Sequence, residues 1–325
     1  MPALPPLVSI ISINFNQLKI TCELLRSLTQ LSYQRYEVIL IDNASDEDPT
    51  EHIHSSFPNV RFFRSTKNLG FTGGNNLGMK MALGDYIFLL NNDTEIRDVN
   101  LLEKLIEPFT KDSSVGMVSP KIRYFDQPQV IQFAGYNKIN PFTGRNTIIG
   151  DREVDKGQYD SSHFTNYVHG AAMMVKREVI EKVGVLTDHF FLCYEELDWS
   201  AQAVKAGFKI YYQSQVFILH KESMSIGKTS ALKVYFNNRN RIMFMRRNTN
   251  SFELTCFLFY LTLFTIPKNV LVFTLKGKFD HLKAFLKAIY WNIQNISIYK
   301  KIPFHTSLDQ VMLDSLTQRT TIPIK

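Results

Sequence analysis

A short apolar segment, residues 86–90, ends abruptly in the polar residues Asn91, Asn92 and Asp93. An apolar run of this length is typical of a strand that is covered on both faces of a sheet. In open α/β sheets, ligands bind beyond the carboxyl ends of the strands. We therefore expect Asp93 and the two amides to lie at the edge of a binding site.

Polar residues also follow two earlier strands. The strands are predicted at residues 7–13 and 36–41, and the polar residues beyond them are Asn14, Asn16, Asp42, Asn43 and Ser45. A carboxylate in such a position can accept a hydrogen bond from a nucleotide base or a ribose hydroxyl. Because Asp, Asn and Ser are also common in ordinary turns, these residues alone leave both interpretations open.

A glycine-rich segment, residues 68–78, follows a third predicted strand at 60–63 and is predicted to be a loop leading into a helix that ends near Leu83. Its glycines would let the backbone approach a ligand, or would serve an ordinary turn. The spacing is neither that of a P-loop nor GxGxxG, which argues against an NTPase that cradles phosphate. The alternation of strands and helices predicts a mostly parallel sheet.

These motifs are more specific in combination than singly. Asp42-Asn43-Ala44-Ser45, the segment from Asn68 to Asn76, and Asn91-Asn92-Asp93 resemble motifs of glycosyltransferase family 2, in its rhamnosyltransferase-like branch. The resemblance implies the GT-A fold, an α/β, Rossmann-like architecture with a mostly parallel sheet flanked by helices. It also implies a nucleotide-diphosphate sugar donor, such as dTDP-rhamnose or a UDP-sugar. The donor-binding residues that we predict are Asn14, Asn16, Asp42, Asn43, Ser45, Asn68, Gly70, Phe71, Gly74, Asn75, Asn76, Asn91, Asn92, Gly170 and Arg239.

The last two of these residues lie far from the others in the sequence. Gly170 belongs to a run of small residues, which would admit a ligand close to the backbone or would simply pack tightly. Arg239 lies in a predicted helix, from which it would face the donor diphosphate or an acceptor phosphate.

The resemblance also implies a divalent metal. The family's metal motif is written DxD, and here Asn91 stands in its first position, so that Asp93 is the one strong ligand. His220 matches a family His-x-x-x-x-Ser segment, ending here at Ser225, that approaches the diphosphate or the metal. Mg²⁺ or Mn²⁺ suits oxygen ligands of this kind. With a single carboxylate, we expect weak metal binding in the absence of nucleotide.

Three acidic residues, Glu195, Glu196 and Asp198, are predicted to lie in the first turn of a helix. Carboxylates in this position are stabilised by the helix dipole and need no further function. In the resemblance, however, the second acid of the pair removes a proton from the acceptor hydroxyl. Glu196 is therefore our predicted catalytic base, with Glu195 as the second candidate and Asp198 as an orienting or structural residue.

The charge is distributed unevenly. Residues 1–220 carry 21 Lys and Arg against 25 Asp and Glu, a net charge of −4, whereas residues 221–325 carry 16 against 5, a net charge of +11. The apolar stretch at 254–266 within the basic part is too short for a membrane-spanning helix. It is predicted either to lie on an anionic membrane as an interfacial hairpin, or to pack against the protein body or a second copy in a homodimer. Nucleic acid is not an expected partner, because no recognised binding motif accompanies the charge.

Two units are predicted: a catalytic domain over residues 1–220, with a nucleotide-sugar half at about 7–98 and an acceptor half at about 99–220, and a basic helical region over 221–325. The cysteines, Cys22, Cys193 and Cys256, have no metal-ligand spacing, and the first residues do not resemble a signal peptide. We therefore expect a cytoplasmic protein, peripheral on the inner face of the plasma membrane.

The predicted activity is the metal-dependent, inverting transfer of a sugar to a hydroxyl of a cell-surface polysaccharide or lipid-linked glycan precursor. Two alternatives remain open, which are a non-catalytic protein of the same fold that binds nucleotide sugars, and a nucleotidyltransferase.

Overall fold

A mixed sheet of ten strands forms the centre of the computed structural model, which describes residues 4–222, 230–296 and 307–311. The strands are β1 (Val8–Asn14), β2 (Tyr36–Asp42), β3 (Val60–Arg64), β4 (Tyr86–Leu90), β5 (Thr94–Ile96), β6 (Val115–Tyr124), β7 (Ile131–Phe133), β8 (His163–Thr165), β9 (Ala172–Lys176) and β10 (Lys209–His220). Their order is β3-β2-β1-β4-β9-β6-β10-β5, with β7 beside β6 and β8 beside β10.

Helices cover both faces of this sheet. They are α1 (Leu18–Leu28), α2 (Thr50–Ser56), α3 (Gly70–Met81), α4 (Leu101–Lys111), α5 (Arg177–Val183), α6 (Glu195–Lys205), α7 (Ala231–Asn248), α8 (Ser251–Tyr260), α9 (Ile266–Leu275) and α10 (Phe279–Gln294), with 3₁₀ turns at Asp188–Phe190 and Leu308–Gln310. The buried apolar residues form one cluster on each side of the sheet. The predicted α/β class, a central sheet flanked by helices, is confirmed.

The first four strands pair in parallel, as predicted. Four of the five residues of β4 have no more than 2% exposed surface, which explains its unbroken apolar sequence. The register places Asn14 opposite Asp42, so the polar ends of β1 and β2 lie side by side.

The other half of the sheet contains both antiparallel and parallel pairs. β9 pairs antiparallel with both β4 and β6, and β5 pairs antiparallel with β10. β6 and β10, however, pair in parallel over most of their length. The sheet as a whole is therefore mixed, and the prediction of a mostly parallel sheet does not describe the pairs made by β5 and β9. One consequence concerns the site: β5 reverses direction directly after Asp93, and its register with β10 places Thr94 opposite His220.

The glycine-rich segment is not the predicted loop, because α3 begins at Gly70 and includes most of it. A Cβ atom on Gly74 would lie 2.9 Å from the Ile13 side chain of β1, and one on Gly78 would collide with Ile11. These glycines therefore allow the helix to pack closely on the sheet. Gly70 has a φ of +69°, and a Cβ there would lie 2.5 Å from the carbonyl oxygen of Phe191.

The C-terminal region is helical, as predicted, but its apolar stretch is longer than expected. α8, a π-helical turn at Leu261–Thr265 and α9 form one continuous helix, Ser251–Leu275, which passes through Pro267 and Lys268. In the described part of the chain, this one helix is long and apolar enough to cross a membrane, with a mean hydropathy of 1.7. The prediction that the stretch is too short was wrong, because the helix continues past Lys268 to Leu275.

Candidate active site

The polar residues at the ends of β1 and β2 bond mainly to one another. Asn14 donates from Nδ2 to Asp42 Oδ1 at 2.7 Å and accepts from Thr21 Oγ1 at 2.8 Å. Ser45 donates to Asp42 Oδ1 at 2.6 Å, and Arg64 Nε lies 3.4 Å from Asp42 Oδ2. Because the Asp42 side chain has no exposed surface, its predicted contact with the nucleotide is not available in this conformation.

Asn92 joins the same network, since its Nδ2 donates to Thr21 Oγ1 at 2.9 Å. Asn16, by contrast, is exposed, and it exchanges hydrogen bonds with Asp46 at the surface. Asn91 keeps a partly exposed side chain beyond β4. Of the predicted donor-binding residues at the strand ends, Asn16 and Asn91 therefore have surface for a ligand, whereas Asn43 is buried, with 2% of its surface exposed.

The start of α3 is also occupied by protein groups. Asn43 donates from Nδ2 to the Gly70 carbonyl at 2.9 Å, and Asn68 accepts from the Gly70 N–H at 2.8 Å. The N–H groups of Phe71 and Thr72 both donate to the Phe191 carbonyl, at 2.8 and 3.2 Å. A helix N-terminus usually offers such groups to an anion, but here Phe191 already uses them.

The amides inside α3 have structural partners as well. Asn75 donates to the Phe71 carbonyl within the helix at 3.0 Å. Asn76 donates to the Leu186 carbonyl at 2.8 Å and to Asp188 Oδ1 at 2.6 Å. The glycine-rich motif therefore holds the segment that leads to α6, rather than presenting these amides to a donor as predicted.

That segment is a strained turn. Phe191, Cys193 and Tyr194 have φ values of 61°, 69° and 72°, a region that residues other than glycine occupy rarely. Asn240 of α7 fastens the turn by donating to the carbonyls of Phe190, Leu192 and Cys193 at 2.7–2.9 Å. Sequence reasoning gave Asn240 no role, because nothing in the sequence shows that α7 packs on this turn.

Arg239 has a comparable role in this structure, and its predicted contact with phosphate stays a prediction. Its Nη2 atom donates to the carbonyls of His189 and Phe190 at 2.6 and 2.8 Å. The guanidinium also lies 4.8 Å from the ring centroid of Phe236 and 4.9 Å from that of Trp291. Arg239 therefore supports the strained turn from inside the protein.

The turn positions Glu195 and Glu196 at the start of α6. Glu195 is buried, and this burial, together with the neighbouring Glu196 carboxylate, raises the pKa of Glu195 well above its usual value. Glu196 keeps some exposed surface, yet burial raises the pKa of Glu196 to about 7, opposed by hydrogen bonds from the N–H groups of Glu196 and Leu197. Among the residues that the structure describes, no group bonds to Oε2 of either side chain.

Gly170 adjoins this pair. A Cβ atom on Gly170 would lie 3.8 Å from Cδ of Glu196, an ordinary contact distance. Glu196 thus combines an oxygen that no described residue contacts by a hydrogen bond, a partly exposed side chain and a pKa of about 7. A carboxyl group with these properties can act as a general base.

Asp198 differs from the two glutamates, because its carboxylate is fully engaged. It accepts from Arg247 Nε at 3.0 Å and from Asn248 Nδ2 at 2.7 Å. This buried ion pair joins α6 to α7. Of the two roles foreseen for Asp198, its contacts favour the structural one.

Asp93 and His220 meet at the sheet edge, as the pairing of β5 with β10 requires. Nε2 of His220 lies 3.1 Å from Oδ1 of Asp93, and Nδ1 of His220 lies 2.8 Å from Oε1 of Gln132. Because an amide oxygen only accepts, Nδ1 carries the hydrogen, and a neutral His220 directs its Nε2 lone pair at the carboxylate. A shared cation or a proton relieves this repulsion, and two ligands about 3 Å apart suit an octahedral ion with bonds of about 2.1 Å.

The described residues contain no group of three or more His, Cys, Asp or Glu side chains that could hold a metal by themselves. A metal at Asp93 and His220 would therefore need further ligands beyond these two side chains. This is expected for a site that the diphosphate of the donor completes. Ser225, the last residue of the predicted histidine motif, lies outside the described residues.

His169 was missed by sequence reasoning. Its ring centroid lies 6.2 Å from that of His220, and it stacks on Tyr136 at 6.1 Å. Burial and the nearby His220 lower the pKa of His169 to about 3, so that the ring is neutral, and Nδ1 accepts from the N–H of Ala171. Since His169 precedes Gly170, this short segment connects the Asp93–His220 pair to Glu196. Its only signal in the sequence was its position beside a run of small residues.

Comparison with known proteins identifies the family. The model described as glycosyl transferase family 2 matches residues 9–184, which is just over half of the chain. The chain belongs to glycosyl transferase family 2. The family resemblance predicted from the sequence motifs is thereby confirmed.

Relatives of this family 2 chain include the low-salt glycan biosynthesis hexosyltransferase Agl10 of Haloferax volcanii, which is 24% identical over 64% of this chain and 66% of its own length. The N-acetylglucosaminyl-diphospho-decaprenol L-rhamnosyltransferase of Mycobacterium tuberculosis is 22% identical over 68% of this chain and 78% of its own length. The second name supports the rhamnosyltransferase-like branch. The chain spans less than two thirds of the length of the first relatives it matches.

Solved structures confirm the GT-A fold of this family 2 chain. GalNAc-T7 with UDP, GalNAc and Mn²⁺ superposes with a TM-score of 0.61 at 15% identity, covering 74% of this chain and 48% of that protein. The mannosyltransferase PcManGT of Pyrobaculum calidifontis, in complex with GDP-Man and Mn²⁺, gives a TM-score of 0.56 at 15% identity and covers 95% of this chain and 86% of its own.

Proposed function

We propose that this chain is an inverting glycosyltransferase that moves a sugar from a nucleotide-diphosphate donor, dTDP-rhamnose or a UDP-sugar, to a hydroxyl of a cell-surface polysaccharide or lipid-linked glycan precursor. The observation that carries the proposal is the state of Glu196, with a raised pKa and one oxygen without a partner in the described structure. The relatives named for hexosyl and rhamnosyl transfer support the same activity.

Glu196 acts as the base in this reaction. Its carboxylate accepts the proton of the acceptor hydroxyl while the hydroxyl oxygen forms a bond to the anomeric carbon of the donor sugar. The bond from that carbon to the diphosphate breaks, and the nucleoside diphosphate leaves with the bonding electrons. Because attack and departure occur on opposite faces of the sugar, the configuration is inverted. Burial and the neighbouring Glu196 carboxylate raise the pKa of Glu195, which favours its protonated form and so limits the negative charge beside Glu196.

Asp93 and His220 are the residues that would hold a divalent ion, Mg²⁺ or Mn²⁺. Such an ion would supply positive charge to stabilise the diphosphate as it leaves. Gln132 fixes the ring of His220, which directs Nε2 towards Asp93. The solved neighbours that contain Mn²⁺ support the use of a divalent metal.

The exposed helix Ser251–Leu275 and its basic surroundings support a position on the cytoplasmic face of an anionic membrane. The acceptor would then be supplied at that surface. Homodimer formation and the domain boundary at residue 220 stay predictions.

The decisive experiment measures nucleoside diphosphate release by the purified chain with Mn²⁺, a panel of nucleotide sugars and a membrane extract that supplies acceptors. We expect release from one donor, and loss of release in Glu196→Gln. Glu51→Gln serves as the matched control, because Glu51 also lies in the first turn of a helix but is exposed and distant in sequence from the site.

Release of pyrophosphate instead would identify a nucleotidyltransferase. Donor binding without any release, with or without the extract, would identify a non-catalytic binding protein. Either result would overturn the proposed function.

A further inference from the structure

Two arginines, Arg145 and Arg241, lie beside Gly144, and no acidic side chain in the described part of the chain pairs with either of them. Arg241 of α7 is only 3% exposed, and Arg145 lies on the surface close enough for its charge to lower the pKa of Arg241, beside the larger effect of burial. Neither guanidinium forms an ion pair with an acidic side chain of the described residues, and Nε of Arg241 has no hydrogen-bond partner among them. A buried cation of this kind is costly unless an anion compensates its charge.

An apolar groove of about 470 Å³ lies nearby, between the loop before β8 and the long C-terminal helix. Its lining residues are Phe142, Thr255, Cys256, Phe259, Tyr260 and Phe264. This volume is in the range of small-molecule sites. Phe142, Phe259 and Phe264 remain 51–64% exposed, so the groove is open to a ligand.

One tight turn joins the arginines to the groove. Asn140 caps the turn by accepting from the N–H groups of Phe142 and Thr143, which places Phe142 at the groove. Gly144 follows with a φ of +63°, and a Cβ there would lie 3.0 Å from both Cγ of Arg241 and Cε2 of Phe257. Arg145 is the next residue.

The same turn contacts the catalytic segment. The hydroxyl of Tyr194 donates to the Gly144 carbonyl at 3.1 Å, and Tyr194 directly precedes Glu195. The charges of Arg241 and Arg145 both act on Tyr194. Positive charge therefore lies between the candidate base and the apolar groove.

We propose that Arg145, Arg241 and the groove bind a polyprenyl phosphate, with the phosphate at the arginines and the hydrocarbon chain along Phe142, Phe259 and Phe264. A ligand of this class has an anionic head followed by an apolar chain, and the site has the two arginines followed by the apolar groove. The assignment rests on the proposed function in one respect: a sugar carried on such a phosphate would lie towards Glu196, as an acceptor must.

Bulk anionic lipid is the second possible source of the same chemistry. A general membrane contact would engage the many exposed apolar residues of the C-terminal helices and their lysines equally, and would not need Arg145. A polyprenyl phosphate site, in contrast, depends on both the phosphate and the isoprenoid chain. Binding experiments can separate the two sources.

The test measures binding of the full chain to nanodiscs of neutral phosphatidylcholine that contain a polyprenyl monophosphate. Parallel discs contain either the corresponding polyprenol or phosphatidylglycerol. We expect the polyprenyl phosphate discs to bind at least about tenfold more tightly than the others, the effect of one or two charge-assisted hydrogen bonds. Arg145→Glu and, independently, Phe142→Ser should each remove this preference.

Arg152→Glu is the matched control, because Arg152 is an arginine of the same region with a side chain that is 80% exposed. It should bind within about twofold of the unmodified chain, since Arg152 belongs neither to the turn at 140–145 nor to the lining of the groove. Thermal unfolding shows whether each variant is folded. If Arg145→Glu does not fold, the binding of Phe142→Ser decides whether the site exists. Equal binding to phosphatidylglycerol discs, or unchanged binding by the folded variants, would overturn the site.

The test of the lipid site and the test of the proposed function can fail independently of each other. Selective lipid binding without nucleoside diphosphate release from any donor would contradict the proposed function and leave the lipid site in place. Donor turnover without preference for polyprenyl phosphate would contradict the site alone.

Discussion

The polar groups at the ends of β1 and β2 differ sharply from those at the start of α6, although the two sets look alike in the sequence. Asp42 is surrounded by Asn14, Ser45 and Arg64 and has no exposed surface. Glu195 is buried as well and Glu196 is partly exposed, yet an oxygen of each lacks a partner in the described structure.

This difference indicates where the protein keeps its reactive groups. A buried carboxylate with a full set of donors is stabilised in its charged form, and it fixes the strand ends. A buried carboxylate that lacks such hydrogen-bond donors has a raised pKa, which suits proton transfer. The comparison predicts that substitutions in the first region change stability and that those in the second change activity.

The largest expected effect is that of Glu196→Gln. Loss of the general base should reduce nucleoside diphosphate release by about 10²–10⁴-fold, while donor binding persists. Stability should not fall, because the folded state disfavours the charge that this substitution removes. Steady-state release rates and thermal unfolding at pH 8 measure the two quantities. Retained turnover would transfer the role of base to Glu195.

Asp42→Asn tests the first region, the polar network at the ends of β1 and β2. It removes a charged acceptor from a buried network, so the free energy of unfolding should decrease by about 2–4 kcal/mol. Urea denaturation provides the measurement. Asp126→Asn is the control, since Asp126 is exposed and should change the free energy of unfolding by less than about 0.5 kcal/mol. A stable Asp42→Asn protein that has lost only donor binding would restore the predicted contact with the nucleotide.

Gln132→Ala probes the Asp93–His220 pair. Without the amide oxygen, the His220 ring is no longer held with Nε2 towards Asp93, and the affinity for Mn²⁺ should fall by about 10–100-fold. The Mn²⁺ dependence of the thermal transition, recorded with nucleoside diphosphate present, reports this affinity. An unchanged Mn²⁺ dependence would show that His220 holds no metal.

Much of the fold could be predicted from the sequence because its strands are short apolar runs with abrupt polar ends. Strand β4 and the polar residues beyond it were located in this way. The family could be recognised from three motifs, none of which is decisive alone. Glu196 was singled out by the same resemblance, and its role stays a prediction.

The partners of these residues could not be predicted, because they come from distant parts of the chain. Asn76 is bonded to the segment 112 residues later, and Asn240 to the turn 47–50 residues earlier. Local patterns carry no information about such pairs. The length of the long helix was underestimated for a different reason, since only the uncharged run before Lys268 was counted, whereas the helix continues to Leu275.

The most direct measurement of the central claim is the pH dependence of kcat/KM. Burial raises the pKa of Glu196 to about 7, opposed by hydrogen bonds from the N–H groups of Glu196 and Leu197. A base must be deprotonated, so kcat/KM should rise about tenfold per pH unit below 7 and level off above it. The residual activity of Glu196→Gln should lack this rise. A profile that is already flat from pH 5 upwards, or one that Glu196→Gln leaves unchanged, would contradict the assignment of Glu196 as the base.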